Sequence, residues 1–300
     1  MELADVHVQM LRYDSVDQSV LNRMRKLIQS IDVDALTMNI ESLAECMFTH
    51  KWINPFPKFK YSERPDTATA AILDGNIVIM VDNSPAVMII PASIFDIIEE
   101  ADDFNFSPMI GSYLRITRFF FSIVTWILTP LWLLFVNNPD WVPEFMKFVL
   151  ITDDITVPVL LQLLILELAV DGLKLAAVNT PTMLSTPLSI VAGIVVGEYA
   201  VSSGWFNPEA LLYMAVVTVG TYGQTNFEMG YAFKFLRVLT LILTQIFNLG
   251  GFIAGVVISV LMIAFNRTIT GKSYIYPLIP WDGKMLKRKV LRVRLPHSYK

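Results

Sequence analysis

The feature that most constrains this chain is a run of 29 residues without a charge, 238–266, reading VLTLILTQIFNLGGFIAGVVISVLMIAFN. As one helix it would extend about 44 Å at 1.5 Å per residue. A bilayer's hydrocarbon core is only about 30 Å thick. The run should therefore tilt, bend or fold back, and 248–251 near its centre is the expected bend. Gly251 and Gly255 stand at GxxxG spacing, which lets another helix approach closely. Uncharged runs at 119–139, 175–197 and 210–227 give three further span candidates. Composition agrees: 54% of the 300 residues are hydrophobic and 17% charged, against roughly 25% charged in soluble domains. Disordered, collagen-like and disulfide-scaffold classes are excluded. Cys46 can close no intrachain bridge, and His7, His50 and His297 all lie outside the apolar runs, so no His-based metal site is expected in the membrane.

Charge divides the chain. Residues 1–114 carry 17 Asp/Glu against 8 Lys/Arg, a net of −9, and residues 268–300 carry 8 Lys/Arg against Asp282, a net of +7. The acidic start MELADVHVQM lacks the basic and apolar segments of a signal peptide, which predicts a cytoplasmic N-terminus. Lys284, Lys287, Arg288, Lys289, Arg292 and Arg294 predict a cytoplasmic C-terminus by the positive-inside rule. Both ends inside require an even number of crossings. Four would leave Lys234 and Arg237 outside, whereas six would make 238–266 a hairpin with short halves.

In the first third, Val16, Val20, Met24, Leu27 and Ile31 fall at three- and four-residue spacing and predict an amphipathic helix over 13–31, capped by Asp14 or Ser15. Pro55, Pro57 and Pro65 make 50–66 an irregular connector. The period then shortens to two: 77–81 and 86–90 read as strands joined at Asp82, Asn83, Ser84 and Pro85. Both strands are apolar on both faces and need cover, from the helix or from another subunit.

The string ERPD, the block AAILDGNIVIMVDNSPAVMIIPASIFD, then Gly111, Leu114, Arg115 and Arg118 before the first apolar run, resemble the bacterial spore germination GerA family. LLQLLILELAVDGLKLAAVNTPT, IVAGIVVGEYAV, NFEMGYAFKFLRVL and YIYPLIPWDGK extend the resemblance over roughly residues 10–290. WLLFVNNPDWVP and GLKLAAVNTPT resemble the stage V sporulation protein AF branch. Two departures stand out. The family's cytoplasmic module is longer, so the expectation is an N-terminally short member. Thr225 and Asn226 replace a proline before the acidic residue of 225–229, which puts the local helix break in question.

In the membrane part, 119–138 predicts a span with Pro130 tolerated inside it, Trp126 and Trp132 on its apolar faces and Trp141 at the outer interface. Along 155–178, Glu167, Asp171 and Lys174 form a charged stripe that suits either an interfacial or re-entrant helix or one facing a pore. Gly193 and Gly197 form another GxxxG pair, followed directly by Glu198. Intramembrane acids are costly and often functional. Glu167, Asp171, Glu198, Gln224, Asn226, Glu228 and Asn248 are accordingly the candidate ion path, while salt bridging to Lys174, Lys234 and Arg237 is the competing use. In an oligomer such acids and amides would form rings, and carboxylate rings favour cations. The GKS at 271–273 has Asn266 where a phosphate loop needs its first glycine, and neither HExxH nor GxSxG occurs, so no enzyme or cofactor is expected. The basic tail suits anionic lipid, not nucleic acid.

The expected fold is a polytopic α-helical membrane protein with four to six membrane segments and a small cytoplasmic α+β module. The expected divisions are 1–114, 115–267 and a basic tail 268–300. The resemblance implies a spore inner-membrane protein that forms or joins an oligomeric cation channel early in germination, as a homo-oligomer, pentamers included, beside other germination receptor subunits and with monovalent cations as cargo. The alternative is a non-conducting scaffold. A transporter would show inverted repeats, and none joins 119–178 to 185–266.

Overall fold

The computed structural model describes residues 2–3, 6–11, 18–33, 39–47, 54–179 and 193–292. They form two compact units: 1–117 with 225–229 and 261–300, and 118–224 with 230–260.

The first unit is α+β. Strands β1 (Glu2–Leu3), β2 (Val6–Leu11), β3 (Lys60–Ser62), β4 (Ile77–Val81) and β5 (Val87–Ile90) make an antiparallel sheet in the order β1-β2-β4-β5-β3. The doubly apolar strands are covered on both faces within this chain. Ile77, Ile79 and Val81 pack with Met88 and Ile90 against Val20, Leu21, Met24 and Ile28 of α1 (Gln18–Gln29) and Ile40, Leu43, Ala44 and Met47 of α2 (Ile40–Met47). Val78 and Ile89 face the other way, against Ala71 of α3 (Pro65–Leu73), and the short helix α4 (Ile94–Ile98) follows the last strand. Alternation along a strand explains the division, since neighbouring side chains point to opposite faces. The predicted cap at Asp14 or Ser15, and Val16, lie outside the described residues; Leu27 and Ile31 sit at the margin of the core.

Asn83 turns the β4–β5 hairpin with φ 58, a conformation Asn tolerates better than most residues. The connector at 50–66 is less irregular than its prolines suggest. It supplies β3, which pairs with β5 through Lys60 opposite Ile89, so backbone pairing overrides local propensity there. The GKS string lies in a tight reversal, with Gly271 at φ 85 between the bridged Arg267 and Ser273.

The second unit is helical. Its elements are most of α5 (Pro108–Asn137), α6 (Val159–Asn179), α7 (Pro208–Tyr222) and α8 (Phe227–Ala264). Of these, α5 and α8 are long and apolar enough to cross a membrane. Trp132 and Leu133 of α5 pack with Val159, Leu163 and Leu166 of α6, Ala210 and Met214 of α7, and Leu241 of α8. The Trp132 indole donates to the Val149 carbonyl at 2.8 Å and its ring lies 4.8 Å from Tyr213. Trp126 is likewise buried in protein, while Trp141 is exposed. A Cβ on Gly220 would come within 2.7 Å of Thr125 Cγ2, so α7 approaches α5 closely at that glycine. Pairing Trp132 with Tyr213 and Thr125 with Gly220 makes α5 and α7 antiparallel.

The longest apolar run is a hairpin. Asn248 has φ 52 and ψ −130 inside α8, and a Cβ on Gly255 would sit 2.8 Å from Thr240 Cγ2. In a straight helix those residues would be about 22 Å apart. Gly251 likewise abuts the Leu243 backbone. The seam is made of small residues: Gly251, Gly255 and the buried Thr240, Thr244 and Ser259. Each of the three hydroxyls donates to a carbonyl four residues earlier in its own arm. No hydroxyl on the seam is therefore left unsatisfied, which matters most in lipid. The first arm starts at Phe227, well before 238, and extends about 31 Å to residue 247. The first arm is thus longer than the uncharged run alone suggested, while the returning arm, 249–264, extends about 24 Å. Lys234 and Arg237 lie within the first arm.

A Thr240→Cys/Gly255→Cys pair in a Cys46→Ser background should form an intramolecular disulfide on mild oxidation, detected as a mobility shift reversed by reductant. A continuous helix would leave the two thiols unable to meet.

Candidate ion-pair site in the membrane unit

Two helical stripes face each other. On α6, Glu167, Asp171 and Lys174 are spaced four and three apart. On the first arm of α8, Lys234 and Arg237 are three apart, so each set lies on one helix face. The helices run antiparallel, and the stripes meet in order. Arg237 Nε donates to Glu167 Oε1 at 2.5 Å and Nη2 to Oε2 at 2.9 Å. The remaining Nη1 donates to the Thr125 carbonyl of α5. Lys234 Nζ donates to the Glu167 carbonyl at 3.1 Å and to the Asp171 carboxylate. Lys174 lies 5.4 Å from the ring centroids of both Tyr222 and Tyr231. Arg237 and Glu167 are 3% and 4% exposed, so their charges have left solvent altogether.

A guanidinium suits this position because its planar fork satisfies both carboxylate oxygens and keeps a third donor for a backbone carbonyl. The five charged side chains comprise two acids and three bases, so the cluster is not a concentration of negative charge.

The other predicted residues fall elsewhere. Gln224 Nε2 donates to Thr125 Oγ1 at 3.1 Å. A Cβ at Gly230 would lie 3.1 Å from Gln224 Oε1, so the glycine makes room for that amide. Asn226 is the N-cap of α8, accepting from the Met229 amide at 2.9 Å. The helix break that the missing proline put in question is present, made by an Asn cap in place of proline. Asn248 exchanges two hydrogen bonds with Asn138, at 2.5 and 2.9 Å, tying the hairpin tip to the end of α5. Glu198 and Glu228 are exposed. Gly193 and Gly197 meet nothing within 4 Å. The GxxxG pair of Gly251 and Gly255 is consumed inside the chain, against the first arm of its own hairpin.

The first unit holds a second buried charge network that the sequence reading missed. Arg115, 2% exposed, donates to Glu99 at 2.6 Å, to Asp103 at 3.2 Å and to the carbonyls of Arg288 and Lys289 at 3.1 and 3.4 Å. Lys289 reaches Asp96 at 2.6 Å and Glu99 at 3.1 Å. Burial works against the Asp96 carboxylate, yet the Lys289 ammonium and the Ser93 hydrogen bonds hold its pKa below the usual range. The signal was the acidic string EEADD at 99–103 close to Arg115, with the basic tail as counter-charge.

A family model described as the Bacillus/Clostridium GerA spore germination protein matches residues 5–300. The chain belongs to the GerA family. Stage V sporulation protein AF of Bacillus subtilis (strain 168) is 35% identical over 283 residues, 94% of this chain and 57% of that protein. Spore germination protein KA of the same organism is 25% identical over 282 residues, 92% of this chain and 51% of the relative. Spore germination protein GerLA of Bacillus cereus is 26% identical over 285 residues, 93% and 57%. The chain spans about half the length of the curated relatives it matches. No solved structure matches it. The family resemblance read from the sequence blocks is thus shown, and this GerA-family chain carries its paired charges within the segment LELAVDGLK and the segment YAFKFLRVL.

Replacing Lys234 with Met should lower the melting temperature of the detergent-purified GerA-family protein by several degrees, because Asp171 would keep a charge without its partner. Glu198→Gln, on an exposed side chain, should leave it unchanged. Equal melting of both variants would show that the cluster does not stabilise the bundle.

Proposed function

We propose that this chain forms or joins an oligomeric cation channel acting in spore germination, embedded in the spore inner membrane with both termini on the cytoplasmic side. The observation that carries this reading is the separation of the acids. Glu167 and Asp171 are bound to Arg237 and Lys234, whereas Glu198, next to the exposed Tyr199, and Glu228, in the first turn of α8 within the α+β unit, stand exposed. A carboxylate facing lipid is costly. Water or another copy of the chain is the better neighbour for it, and a ring of such carboxylates between copies attracts cations. The inside of a single bundle, with its base-rich cluster, is a poor cation route. The names of the relatives, spore germination proteins among them, support the setting.

The reading includes six crossings: α5, α6, α7, the two arms of α8, and the uncharged run 175–197 of the sequence, most of which lies outside the described residues. Supporting it, Lys174 near the end of α6 lies level with Tyr222 and Tyr231, while Thr156, just before α6, bonds the Gly204 carbonyl. Gly204 therefore lies at the end from which α6 starts. Other germination receptor subunits are the expected partners, and monovalent cations the cargo.

Potassium efflux from liposomes tests the proposal, comparing wild type with Glu198→Gln and Glu228→Gln at matched incorporation. The expected result is efflux from wild type, reduced several-fold in at least one variant. Inserted wild-type protein that releases no potassium would favour the scaffold reading.

A further inference from the structure

The tail helix α9 (Gly283–Val290) has two faces with different uses. Its inner face is spent on the α+β unit. Lys289 pairs with Asp96 and Glu99; just beyond the helix, the Arg292 amide donates to Ser112 Oγ at 3.0 Å and its guanidinium to the carbonyls of Phe104 and Phe106. The outer face carries Lys284 and Lys287, three residues apart and both exposed, and Trp281, just before the capping Asp282, is 71% accessible. Ile279 and Leu278, just before it, are exposed as well. After its capping Asp282 the helix GKMLKRKV contains no acid.

The level of this helix is set by Arg115. That side chain donates to the carbonyls of Arg288 and Lys289. The apolar run of α5 opens at Phe119, four residues further along the same helix and so about 6 Å away. The C-terminal end of α9 is therefore fixed beside α5 within about one helical turn of the start of that apolar run. An indole beside two ammonium groups is the combination that suits the water–lipid boundary: the ring partitions into the interface and the lysines meet phosphate.

We propose that Trp281, Lys284 and Lys287 form a docking surface for anionic lipid headgroups, seating the tail helix on the leaflet nearest the α+β unit. Charge complementarity and continuity with a membrane-entering helix favour lipid over a second protein copy. The proposal needs the chain to be inserted, and is independent of whether it conducts.

The test uses the full chain with Trp281→Cys in a Cys46→Ser background, labelled at that cysteine with an environment-sensitive fluorophore and reconstituted into vesicles. Insertion is verified by flotation. In vesicles containing phosphatidylglycerol the label should emit to the blue and be shielded from acrylamide, and in pure phosphatidylcholine less so. Lys284→Gln with Lys287→Gln should cut the ratio of seated to unseated helix about 30-fold, at about fivefold per lysine. Equal acrylamide access in both vesicle types and in detergent would overturn the proposal. Shielding in detergent that grows with protein concentration would overturn it in favour of a second copy. Shielding that ignores both lysines would overturn headgroup recognition.

Discussion

An ion pair taken fully out of water, Glu167 with Arg237, is the interaction on which the membrane unit depends. It joins α6 to the first arm of α8 and, through the third guanidinium donor, to the Thr125 carbonyl of α5. Three helices are thereby fixed at one depth. Such a pair gains little over apolar packing when intact, but losing either partner strands a charge in a low-dielectric interior. Its contribution is to specify register, since a slip of α8 against α6 would separate Lys234 from Asp171 as well as Arg237 from Glu167.

Register in turn makes the hairpin possible. With the first arm fixed by its charges, the apolar run beyond it has a definite starting depth, and Asn248 reverses it where Asn138 can meet its amide. Glycines at 251 and 255 then let the returning arm pack on Leu243 and Thr240. One continuous uncharged run becomes two antiparallel arms without any charged loop between them. This leaves both ends of the hairpin in the same compact unit as the base of α5. There, opposite charges on the α+β segment and the tail close on one another around Arg115.

Much of this was legible in the sequence. Period-two alternation gave β4 and β5, the apolar spacing gave α1, and the bend at 248–251 followed from a run too long for a bilayer. β3 was not legible, because a three-residue edge strand among prolines carries no periodic signal and forms only when β5 offers its edge. Lys234 and Arg237 read as a topology problem because flanking charges and helix-internal charges look alike in sequence. Only the antiparallel meeting of two stripes tells them apart. The candidate ion path was visible as a list of acids and amides. Which acids are neutralised could not be read, since Glu167 and Arg237 are 70 residues apart. The GxxxG motifs showed the same limit: small-residue spacing marks a close approach but not whether the partner is another copy or the chain's own return arm.

The most direct test of the central claim is a double-mutant cycle on Glu167→Gln and Arg237→Gln, read as thermal and denaturant stability of the purified protein in one detergent. Each single change is expected to cost about 3 kcal/mol or more, with the double mutant far less damaged than the sum, because neutralising both partners removes the stranded charge. Strictly additive losses, or single variants as stable as wild type, would contradict the view that this pair sets the register of the membrane helices.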